Sequence, residues 1–405
     1  RAEYLALEVV QAVRSNREGC SQNRLRQLLP NTEGLTQAVR DFASPRYRDG
    51  YERGIHDHDT ALILQALVPL ADGAGVLRYA PPARSLAMLF WSQHSQIQQP
   101  QLASSIDQWA ERAQQAQAMQ QLFASDSERL ALQAEVMVQI QAFATEQNVL
   151  TDLLRADRES PLLHADPAVQ EGSAEWQSEV DNLLRAAADY LLAELAQKAL
   201  RFHFSGASQA LHAALQNALK DAAKEGMHWS DLQTYWAGKS QRDRIAAPLG
   251  QRWRSALHWL QTVCNAAGDA DRDAWLPYCS EAASWLVAQA ELPHQISSVD
   301  LRTEVTGLLG QHARVDGGRM VIQLDELTTR AARHYRHFVP QWQRYQQLRQ
   351  QVLGDYRARV RVEEFKARPL SSFVRNKLIN DIYLPVIGDN LAKQIGAAGD
   401  AKRTD

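Results

Sequence analysis

Residues 174–198 read AEWQSEVDNLLRAAADYLLAELAQK, and the spacing of their apolar positions decides the class of fold. Trp176, Val180, Leu183, Leu184, Ala187, Tyr190, Leu191 and Leu195 recur at steps of three and four. That spacing lays a single apolar stripe along a helix. The stripe runs out at Lys198, whose stem can lie on apolar surface while its ammonium reaches water. A long helix with one apolar face is stable only when that face is covered, so the segment predicts partner helices.

The same period appears on both sides of it. In the glutamine-rich stretch after residue 100, Leu102, Ile106, Trp109, Ala113, Ala116, Met119, Leu122 and Phe123 form a second stripe. Ser125 and Glu128 have the spacing of a capping box, which opens a further helix to about Thr145. Residues 2–43 read as short helices broken by NREGCSQN and LPNTEG, and a longer helix is expected after Ser44-Pro45 through GYERGIHDHDTALILQALVPL. Trp229, Trp236, Trp253, Trp259, Trp275 and Trp285 fall at helical spacing and read as anchors between helices. The pattern changes only near VTGLLGQHARVDGGRMVIQLDEL. There Asp316-Gly317-Gly318 predicts a hairpin turn between strands Gln311–Val315 and Arg319–Leu324. The expected fold is therefore mainly α, a multi-helix bundle or irregular helical array with one small β-hairpin near residues 311–324. Four parts are expected: 1–90, a long-helix bundle over 91–300, hairpin plus basic helices over 301–370, and a final segment 371–405.

Composition fits this reading. A chain of 405 residues with 45% hydrophobic residues supplies more than one core. Cys20, Cys264 and Cys279 show neither a close pair nor a zinc spacing, which suits a reducing compartment. No apolar run approaches the roughly 18 to 20 residues of a membrane span, and no basic-then-apolar leader opens the chain. A soluble, cytoplasmic protein without a membrane partner is expected.

The net charge of −3 is unevenly spread, with fifteen Lys/Arg against eight Asp/Glu between residues 300 and 377. This basic portion reads either as solvated helix faces or as a surface for nucleic acid. On the second reading the phosphate contacts are Arg330, Arg333, Arg336, Arg344, Arg357, Arg359 and Arg361, with DNA as the partner.

Two motifs invite chemistry. The HDHD stretch, residues 56–59, alternates histidine and aspartate, but residues two apart on a helix diverge. The face-sharing set is Glu52, His56 and Asp59, the candidate ligands of a divalent ion. The default reading is a hydrogen-bonded packing cluster, and no metal is assigned. WAGKS, residues 236–240, ends like a phosphate-binding loop, yet Gln233 occupies the place of the first glycine and TYW precedes it instead of a strand. No Gly-x-Ser-x-Gly elbow is present, and no complete active site can be assembled from the chain.

The end of the chain, SSFVRNKLINDIYLPVIGDNLAKQIGAAGDAKRTD (residues 371–405), suits a different task. Val374, Leu378, Ile382 and Leu384 lead to Val386-Ile387-Gly388, read as a turn before a short helix. Apolar side chains can sandwich a flat base while glycine lets the backbone approach it. VIGDNLAKQIG resembles the adenine-contacting box in front of the phosphate loop of AAA+ ATPases. The longer string from Ser371, with GLLGQHARVDGGRMVIQLDEL and YERGIHDHD, resembles the region preceding the ATPase module in large bacterial AAA+ proteins labelled DNA-repair ATPases. The resemblance implies a Walker A loop shortly beyond Asp405, with ATP and Mg bound by the parent protein. It implies Val386, Ile387 and Gly388 as adenine-pocket residues, and no catalytic residue within this chain. The partners it implies are the ATPase module of the same polypeptide and further copies of the chain. The role expected is non-catalytic: partner recognition, assembly or coupling to ATP hydrolysis.

Overall fold

A computed structural model of the chain describes residues 2–14, 22–44, 51–93, 104–112, 126–158, 172–197, 201–222, 228–238, 247–288, 292–334, 338–360 and 372–399. Among the described residues it is mainly helical, with two sheets of two strands each, and the chain divides into two units, Arg1–His337 and Phe338–Asp405.

The first unit holds two hydrophobic cores. The N-terminal core is built by α1 (Ala2–Arg14), α2 (Gln22–Leu28), α3 (Thr32–Ala43) and α4 (His56–Ala74). In α3, Asn31 Oδ1 accepts from the Gly34 amide at 3.0 Å and satisfies one of the free donors at the helix start. Leu35, Val39 and Ala43, each four residues apart, then place one buried stripe against α4. Much later segments complete this core. β3 (Arg302–Thr306) pairs antiparallel with β4 (Arg319–Gln323), and α15 (Leu324–Arg333) follows directly. Leu301, Val305, Met320, Ile322 and Leu327 are buried there with Ile63, Leu64 and Leu67.

The second core belongs to the bundle, formed by α5 (Pro81–Ser92), α6 (104–112), α7 (Asp126–Glu146), α8 (Leu150–Arg158) and α9 (Ala174–Leu195). It continues with α10 (Gly206–Ala222), α11 (Trp229–Trp236), α12 (Leu249–Ala266), α13 (Asp269–Trp275) and α14 (Cys279–Ala288). The stripe read on residues 176–195 is the buried face of α9, from Val180 to Leu195. α5 and α14 are buried almost all round and pack on each other. Their small residues allow close approach: Ser85 Oγ lies 2.6 Å from Ser284 Oγ and donates to the Ser280 carbonyl at 3.0 Å. Trp236 and Trp253 are fully buried, and Trp285 nearly so, as large anchors should be.

Several expectations change. The turn at Asp316-Gly317-Gly318 forms, with positive φ at both glycines and a single bridge from Asp316 to Arg319. The strand partnering β4 is however Arg302–Thr306, and Gln311–Val315 is loop. β-Branched residues at 303, 305 and 306 suit the pleat, and Asp59 holds the intervening loop aside. A second sheet was not legible at all: β1 (Phe202–Ser205) pairs in parallel with β2 (His294–Ser297), 92 residues away at each matched position. The long helix expected after Pro45 begins instead at His56, where Glu52 and Gly54 form a turn. By length and composition alone, His56–Ser92 is apolar enough to cross a membrane, with mean hydropathy 1.6 in its best window. Here the buried side chains of α4 and α5 lie in the two cores. The capping box at Ser125 and the second half of the glutamine-rich stripe lie outside the described residues.

The second unit consists of α16 (Val339–Val360) and a helix comprising α17 (Ser372–Leu378), one π-helical turn (Ile379–Tyr383) and α18 (Leu384–Gly399). The turn expected at Val386-Ile387-Gly388 is helix. Pro385 lies inside this continuous helix and can donate no amide to it; the π-helical turn immediately before it accommodates the missing hydrogen bond, and the residues after it sustain the helix.

Candidate functional site

The HDHD stretch opens α4, and its carboxylates are already occupied. Asp57 is fully buried and accepts from Arg40 Nε at 2.6 Å and from the Gly54 amide. Burial by itself raises its carboxyl, but the Arg40 hydrogen bond, the Gly54 and Asp57 amides and the Arg40 charge together hold it below the ordinary range. Asp59 turns the other way. Its two oxygens accept from the amides of Leu309 (2.8 Å) and Gly310 (2.9 Å), which fastens the loop after β3 onto α4. A Cβ on Gly310 would lie 2.8 Å from Asp59 Oδ2, so the residue there must be small. His56 Nδ1 accepts from the Glu52 amide at 2.8 Å, and Thr60 Oγ1 donates to the His56 carbonyl. His56 is thus engaged by the Glu52 backbone and Asp59 by the loop amides, and no group of His, Cys, Asp or Glu among the described residues is arranged to hold a metal. The motif acts as a clamp between helix start and loop.

The basic segment separates into two populations. Arg330 pairs with Glu3 at 3.0 Å and with Glu326 at 3.2 Å, while Arg314 reaches Glu3 at 3.1 Å and Glu326 at 3.6 Å. These largely buried groups tie α15 and the loop before β4 to α1. Arg344, Arg357 and Arg359 are exposed on α16, and Arg349 joins them there. Arg336 and Arg361 lie outside the described residues, as does the side chain of Arg333.

Val386 and Ile387 are exposed on α18, and nothing lies within 4 Å of a Cβ built on Gly388. Their apolar surface is available to a flat ring. Their backbone amides belong to the helix, so as folded here the segment does not form a cradle that reads the edge of an adenine.

Buried polar groups form the network that sequence reading missed. Arg84 and Glu281, both fully buried, meet at 2.8 Å. Glu281 also accepts from the Ser205 amide at 2.7 Å and from Ser205 Oγ at 3.0 Å. Breaking such a pair by removing one partner costs about 3–5 kcal/mol, because the other charge stays in the core. Asp325 accepts from Tyr278 Oη at 3.2 Å. Burial raises both the Tyr278 hydroxyl and the Asp325 carboxyl, the latter against the opposing Arg84 charge. A cavity of about 630 Å³ lies above these groups, lined by Ser205, Gly206, Tyr278, Arg302 and Gln323 among others. Part of its polar lining is paired inward: Ser205 with Glu281, and Tyr278 with Asp325 and Gln323. The one available signal was an arginine within the apolar run APPARSLAMLF, which requires a buried anion but cannot say which. The fold also brings Cys264 and Cys279 together, buried and hydrogen-bonded, where the sequence shows no close pair.

Compared with family models, curated proteins and solved structures, the chain matches none.

Proposed function

We propose that this chain is the mainly helical region in front of the ATPase module of a AAA+ protein, serving partner recognition, assembly or coupling to ATP hydrolysis. The observation that carries the reading is the terminal helix. Phe373, Val374, Leu378, Ile382, Tyr383, Val386, Ile387, Leu391 and Ile395 point to all sides of residues 372–399, yet each is more than a third exposed. So much exposed apolar surface on one helix, even interspersed with Arg375, Lys377, Asp381, Asp389 and Lys393, calls for a core to cover it. An ATPase module following Asp405 would supply that core, and the resemblance of VIGDNLAKQIG to an adenine box names the module. The clamp at Asp57 and Asp59 and the buried ion pairs suit a rigid body that transmits motion and does no chemistry itself. ATP and Mg belong to the module. For Val386-Ile387-Gly388 to read a base edge, the backbone there must leave the helix when the module packs against it.

The reading frame beyond Asp405 is the test. Within about 30 residues it should encode a glycine-rich loop ending in Lys-Thr or Lys-Ser. The protein extended through that module should hydrolyse ATP with Mg, and the 405 residues alone should not. A reading frame without such a loop, or Mg-dependent turnover by the 405 residues alone, overturns the proposal.

A further inference from the structure

Helix α16 carries a face that the ATPase reading leaves unused. Phe338, Trp342, Tyr345, Val352, Tyr356 and Val360 follow one another at steps of three, four and seven, so they share one side of the helix. All are exposed, Trp342 by 43%, Tyr345 by 54% and Tyr356 by 65%. The first three rings stack in sequence, Phe338 on Trp342 at 6.1 Å and 9°, and Trp342 on Tyr345 at 5.3 Å and 29°. They form a ladder of flat surfaces along the helix.

Charge decides what the ladder is for. Arg344, Arg349, Arg357 and Arg359 stand on α16 against the single carboxylate of Asp355. Arg349 is four residues from Tyr345 and seven from both Trp342 and Tyr356, which puts it in the middle of the apolar stripe. In a helix–helix seam that position would bury a guanidinium, which is costly without a buried anion. Against a polyanion with flat bases, the same arrangement is an advantage on both counts. Rings stack on bases whatever their identity, and arginines follow the phosphates.

We infer that α16 binds single-stranded nucleic acid, with bases stacked on the exposed outer surface of this ring ladder and on Tyr356, and the backbone held by Arg349 within the face and by Arg357 and Arg359 beside it. From Phe338 to Tyr356 the helix rises about 27 Å. Arg330 has no part in it, being engaged by Glu3 and Glu326. The inference stands whether or not an ATPase module follows.

The test is fluorescence anisotropy of labelled (dT)20 and (U)20, titrated with the 405-residue chain at several salt concentrations. Either strand should bind, and a 20-residue abasic strand should bind at least tenfold more weakly, since it offers phosphates but no bases. The Trp342→Ala/Tyr345→Ala variant should weaken (dT)20 binding by about tenfold per ring removed. Arg349→Gln/Arg357→Gln/Arg359→Gln should flatten the slope of log K against log salt by about two. All five side chains are exposed, so the far-UV circular dichroism of both variants should match the parent. Equal binding of (dT)20 and the abasic strand overturns the inference without recourse to any variant. So does absence of binding at low salt. So does self-association through this face, seen as dimerisation that Trp342→Ala abolishes while no strand binds.

Discussion

At the scale of single residues, the HDHD stretch shows how position within a turn separates neighbouring carboxylates. Asp57 faces Arg40 and the Gly54 amide, while Asp59 faces the amides of Leu309 and Gly310. The pH dependence follows from Asp57. Its folded pKa is depressed, so the folded protein takes up that proton less readily than the unfolded chain. The stabilisation is complete above the unfolded value of about 3.9 and is lost as pH falls through the folded value. Asp57→Asn should therefore cost about 2 kcal/mol at pH 7. The gap from the parent protein should narrow below about pH 4. Urea unfolding at the two pH values measures both.

Helix against helix, α12 closely approaches the end of α7. The Gly250 amide donates to Gln147 Oε1 at 3.0 Å, and a Cβ on Gly250 would fall 2.0 Å from the Gln147 carbonyl oxygen. Asn148, the next residue, turns the chain with φ of 53°. Neither backbone can yield without shifting a packed helix. Gly250→Ala should destabilise the protein by about 1–3 kcal/mol, measured by chemical denaturation. At this scale sequence reading succeeded where the pattern was local: the stripe of α9, the tryptophan anchors and the diglycine turn. It misplaced β3 because a strand is fixed by its partner, and loop 307–310 is held by α4, some 250 residues away. Helical periodicity also cannot separate a turn from a helix at 386–388, where a lone glycine suits either.

Across the whole molecule, the cores draw on distant parts of the chain. Residues 301–327 join residues 5–77 in one core, and Arg84 on α5 meets Glu281 on α14. The first unit contains both cores, and no residue of α16 is buried. A chain ending at His337 should therefore keep the helical signal of its own elements and unfold cooperatively in a circular dichroism melt.

What the residues alone determined is the helical class, because a period of 3.6 is written into each segment without reference to any other. They also marked residues 56–59 and the basic stretch as places where polar groups concentrate. Only the tertiary structure decided what those groups do. It spent the HDHD carboxylates on a loop, paired Arg314 and Arg330 with Glu3, and left the arginines of α16 in solvent. The reason is physical: a charge acquires its role from the groups that surround it after folding, and those groups lie up to 327 residues away.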